Sequence, residues 1–81
     1  MNIRFSKQAQ KALERMDRTT KHRIRNGILA IPKGDIKSMR GYPGTYRLRV
    51  GDWRILFSYP EENAVLIEKI SPRGDVYKGG F

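Results

Sequence analysis

The chain has no cysteine, one histidine and no apolar run near the roughly 20 residues that a membrane-spanning helix needs. Without cysteine there are no disulfides and no thiolate metal sites. His22 alone cannot build a metal centre, so no metal and no other cofactor is expected. The N-terminus lacks a signal-peptide core, and the expectation is a cytoplasmic protein with no membrane partner. Acid is scarce as well. Eight Asp and Glu stand against seventeen Lys and Arg, a formal net charge of +9 on 81 residues. Self-repulsion of that size disfavours a compact chain, so it points to an anionic partner. Membrane binding would need a helix with a free, bulky apolar face, and the apolar stripes here are taken up by a core. Nucleic acid is the best single reading, and an acidic protein partner is compatible with it. At this length residues 1–81 form one small domain with a single two-layer core.

What the chain has in concentration is arginine on strands. Residues Thr45–Phe57 read as two strands joined at Gly51-Asp52, with arginines alternating with apolar residues. Side chains two apart share a face. Arg47 and Arg49 therefore lie together, opposite Leu48 and Val50, and Arg54 alternates in the same way with Trp53 and Ile55.

Around this hairpin, Asn2–Phe5 alternate as a short first strand. Ser6 is placed as the N-cap of a helix with Ala9, Ala12, Leu13 and Met16 on one stripe. Asp17-Arg18 breaks that helix, and Thr19 or Thr20 caps a second one with Ile24, Ile28 and Ile31, in which Gly27 would allow close helix–helix approach. Pro32 and Gly34 end it. Residues 33–44 read as a loop, with Ile36 and Met39 able to tuck beneath it. Strands follow at Tyr46–Val50, Trp53–Tyr59 and Ala64–Ile70, the last two joined by Pro60-Glu61-Glu62-Asn63. After a turn at Ser71-Pro72-Arg73-Gly74, Asp75–Tyr77 is a possible further strand. The order is β-α-α-β-β-β, with the last strands antiparallel neighbours.

Exposed arginines are singly often inert. Clustered, Arg47, Arg49 and Arg54 favour anion binding, because guanidinium groups grip phosphate oxygens in bidentate fashion and stay charged. They suit stabilisation of a charged transition state but not proton abstraction. Arg73 and Tyr77, four apart, pair a cation with a ring of the kind that holds an unstacked base, although Tyr77 could equally close the core. Tyr46 reads either as a stacking platform or as core. Trp53 reads as core, and His22 as a solvated surface residue. Lys7, Lys11, Arg15, Arg18, Lys21, Arg23 and Arg25 form the helices' outer faces and raise the potential that draws in RNA.

With the Met39-Arg40-Gly41 element, Tyr46-Arg47-Leu48-Arg49, Trp53-Arg54-Ile55-Leu56-Phe57 and the Ile70-x-x-Arg73-x-x-x-Tyr77 ending, the chain resembles the RelE/ParE superfamily of toxins from toxin–antitoxin pairs. The resemblance implies an α+β fold, with an N-terminal strand and helical hairpin packed on a four- to five-stranded, mostly antiparallel sheet. It implies an mRNA endoribonuclease that cuts in the ribosomal A site by 2′-hydroxyl attack on the adjacent phosphate, without metal or other cofactor. Carried over by position, Arg49, Arg54, Arg73 and Tyr77 become the catalytic set, with Arg47, Tyr46 and Arg40 as RNA contacts. The implied partners are the ribosome with its mRNA and an acidic, partly disordered antitoxin, held in a hetero-oligomer. The chain departs from the best-known RelE branch in carrying arginines where that branch has second-strand lysines. It also has Val76 where another branch has histidine, and no general base is evident. Two rivals stay open: a ParE-type toxin that poisons DNA gyrase, and a non-catalytic module that binds RNA or antitoxin.

Overall fold

Ser6 ends the first strand and begins the first helix of the computed structural model, which describes residues 2–72. Its hydroxyl accepts the backbone N–H of Ala9 at 3.1 Å and donates to the carbonyl of Glu68 at 2.7 Å. One side chain thus caps a helix and ties it to the last described strand. The elements are β1 (Asn2–Phe5), α1 (Lys7–Glu14), α2 (Arg18–Leu29), β2 (Asp35–Ser38), β3 (Thr45–Val50), β4 (Trp53–Ser58) and β5 (Ala64–Pro72). The sheet runs β1-β5-β4-β3-β2, with β1 parallel to β5 and every other pair antiparallel. The expected α+β architecture is what the chain adopts.

Both helices pack on one sheet face. Ala9 from α1 and Ile24 and Ile28 from α2 join Leu48, Ile55, Phe57, Val65, Ile67 and Ile70 in the buried core. Ile67 and Ile70 are three apart, a spacing that would put them on opposite faces of a regular strand. A register shift opposite Leu56/Phe57 absorbs the extra residue, so both isoleucines reach the core. Where β1 stops, α1 continues its pairing with β5. The Gln8 amide donates to the Ile70 carbonyl at 3.2 Å and accepts the Ile70 N–H at 3.0 Å.

Four local expectations are corrected. Residues 33–44 are not all loop, because Asp35–Ser38 pairs with β3 and forms a sheet edge. Asp17, rather than Thr19 or Thr20, caps α2 by accepting the Thr20 N–H at 3.3 Å. Hydrogen bonding from Thr20 holds the Asp17 carboxyl below its usual value. Gly27 serves helix–sheet rather than helix–helix approach, since a Cβ there would lie 2.7 Å from Val50 Cγ2. Ser71 and Pro72 extend β5 instead of opening a turn. The possible strand at 75–77 lies outside the described residues.

Candidate nucleic-acid interface

Among the described residues the other sheet face carries no helix, and the register lays its side chains out in rows. Asp35 pairs with Arg49, Arg49 with Arg54, and Arg54 with Ser71. Directly paired residues point to the same side, so Asp35, Arg49, Arg54 and Ser71 form one row across four strands. Two residues along, Lys37, Arg47, Leu56 and Lys69 form the next. Neighbours in a row are about 4.8 Å apart, and the rows about 7 Å. Ile36, between Asp35 and Lys37, packs toward the core, which independently turns its two neighbours outward.

This face is more than a solvated surface. Arg54 is only 7% exposed and Ser71 5%. Leu56 is fully buried yet is not a member of the main core cluster. Its row neighbours Arg47 and Lys69 have long aliphatic stems of the kind that cover such an apolar floor while keeping their charges outward. The Ser71 hydroxyl is buried without a hydrogen-bond partner among the described residues. Desolvated polar groups and permanently charged guanidinium groups side by side strengthen any interaction with an anion, because less water screens it.

The chain matches, over residues 3–77, the family described as the ParE toxin of the type II toxin–antitoxin system parDE. It belongs to the ParE toxin family. Solved structures agree. The chain is similar to one in the RelB–RelE antitoxin–toxin complex of Methanococcus jannaschii, at 26% identity and TM-score 0.74, covering 91% of this chain and 94% of that one. A chain of the RelE–RelB complex of Pyrococcus horikoshii is 27% identical at TM-score 0.71, with 91% and 96% covered. In fold it also resembles a chain of the Mycobacterium tuberculosis RelBE2 complex, at 22% identity and TM-score 0.75, with 89% and 96% covered. No curated protein sequence matches. The protein is a type II toxin of the RelE/ParE superfamily, as the motif resemblance implies.

Of the site residues expected in this toxin, Arg47, Arg49 and Arg54 come together on the open face. Arg40 does not join them; it is exposed in the turn between β2 and β3, beyond the Lys37–Arg47 end of the hairpin. Tyr46, read as either a stacking platform or core, does not share the arginines' face. It lies on the helix-covered face, stacked on Phe57 at 5.7 Å and edge-on to Tyr59 at 5.4 Å. Trp53 also packs against the core, as expected. Arg73 and Tyr77 lie outside the described residues. Sequence reasoning missed Asp35, Lys37, Lys69 and Ser71 as members of the face. The first two were hidden by the unread strand β2, the others by the bulge and the misplaced turn.

Proposed function

We propose that this toxin is a ribosome-dependent endoribonuclease that cuts mRNA by attack of a 2′-hydroxyl on the adjacent phosphate. The direct pairing of Arg49 with Arg54 on the open face, with Arg47 one row away, carries the reading. Two adjacent guanidinium groups can hold both non-bridging oxygens of one phosphate, and they stabilise best the extra charge of the pentacoordinate transition state. Arg47 holds the neighbouring backbone. Arg73 assists the leaving oxygen and Tyr77 stacks on a codon base. Likeness to chains of RelB–RelE complexes supports a cognate antitoxin as the partner. An acidic segment laid over this face would neutralise it and block the ribosome.

The test is cleavage of message on purified, programmed ribosomes. Arg49→Ala and Arg73→Ala are each expected to slow single-turnover cleavage by about 10²–10³-fold, while ribosome binding changes far less. Equal losses in cleavage and binding would refute the catalytic role. The ParE description of the matched family favours a second reading, inhibition of DNA gyrase through protein contact. Growth arrest with DNA-damage signalling and uncut messages would select it.

A further inference from the structure

We infer that Asp35 is the general base of the cleavage, an inference that rests on the ribonuclease reading. An arginine cluster can stabilise charge, but a guanidinium has no acceptor atom and does not give up its proton near neutrality. Removal of the 2′-hydroxyl proton therefore needs another group. Among the described residues, Asp35 is the carboxylate whose register partner is an arginine of the cluster. It stands at the β2 end of the Asp35–Arg49–Arg54–Ser71 row, exposed at the sheet edge where a substrate can reach it. Three other carboxylates are spoken for or turned away. Glu61 pairs with Arg4 at 3.2 Å at the opposite edge of the sheet. Asp52 lines a 230 Å³ cleft with Arg23 and Trp53 on the helix side, and Asp17 caps α2.

The row supplies the spacing. Asp35 and Arg54 flank Arg49 at about 4.8 Å per strand. A phosphate seated on Arg49 and Arg54 with its 5′-side ribose toward the β2 edge brings the 2′-hydroxyl within reach of Asp35. The 2′-hydroxyl proton passes to the Asp35 carboxylate as the O2′–P bond forms. The P–O5′ bond breaks with its electron pair on O5′, which takes a proton from water. The hydroxide left behind collects the proton from Asp35. The products are a 2′,3′-cyclic phosphate and a 5′-hydroxyl end, and the carboxylate is restored.

Single-turnover cleavage on programmed ribosomes, measured across pH, tests this. Asp35→Asn is expected to slow cleavage by about 10²–10⁴-fold. It should also abolish the acid limb of the wild-type pH–rate profile and leave ribosome binding unchanged or tighter. Asp35→Glu, which keeps the carboxylate, is expected to recover a large part of the rate and the acid limb. If Asp35→Asn cuts at the wild-type rate, or is slow but keeps the wild-type acid limb, Asp35 is not the base and the ribonuclease reading stands. A wild-type protein that cuts no ribosome-bound message at any pH sinks the reading and the base together.

Discussion

Asp17 ties one exposed carboxylate to the start of α2. Its side chain accepts the Thr20 N–H at the start of α2, and that hydrogen bond holds its carboxyl below the usual value in the folded protein. A carboxyl depressed on folding adds stability above its unfolded pKa, and the gain is lost as pH falls through the folded value. Asp17→Asn keeps a capping oxygen but cannot titrate. Below about pH 4 the thermal midpoint of the wild type is expected to fall more steeply than that of Asp17→Asn, and near neutrality the two should run in parallel. Curves that stay parallel through the acid range would contradict the cap's contribution. The same scale shows what was legible. Period-two alternation alone puts Tyr46 opposite Arg47, so its place among the aromatic rings was already implied by the arginines beside it. Asp17 was harder, because three nearby residues (Asp17, Thr19 and Thr20) all have capping side chains, and only the chain's path decides among them.

At the scale of elements, long apolar stripes and tight turns were readable, and paired edges were not. Asp35-Ile36-Lys37-Ser38 offers one apolar residue between Gly34 and the glycine-rich turn, too little periodicity to reveal a strand. Its strand character comes from pairing with β3, a tertiary contact. The end of β5 has a similar origin. Its backbone beyond β1 is satisfied by a side chain on α1, the Gln8 amide clasping Ile70, and Ser71, next in the chain, pairs with Arg54. Gln8→Ala leaves the Ile70 N–H and C=O without these bonds, at an expected cost of about 1–3 kcal/mol in urea denaturation. Gln10→Ala removes only an exposed bond to the Phe5 carbonyl and should cost less than about 0.5 kcal/mol. Similar losses for the two variants would show that the clasp on β5 is not what stabilises this edge. The bulge that brings Ile67 and Ile70 to one face left a trace in the sequence, their spacing of three, which no regular strand can use.

For the whole molecule, the net charge of +9 divides between two faces with different work. The helices' outer surfaces carry the dispersed lysines and arginines that raise the overall potential. The open sheet face gathers Lys37, Arg47, Arg49, Arg54 and Lys69 into two rows about 7 Å apart. Dispersed charge speeds encounter, whereas convergent charge displaces counterions from a bound backbone, and salt separates the two. Binding of a short single-stranded RNA should weaken with salt along a log–log slope of about −0.7 for each phosphate neutralised, or roughly −3.5 if all five cations engage. Arg49→Gln is expected to reduce the magnitude of that slope by about 0.7, because it deletes one contact. Lys11→Gln, on α1 and exposed, removes the same formal charge from the other layer and should leave the slope unchanged. If both substitutions flatten the slope equally, the RNA responds to net charge alone, and the rows on the sheet lose their claim to be its binding site.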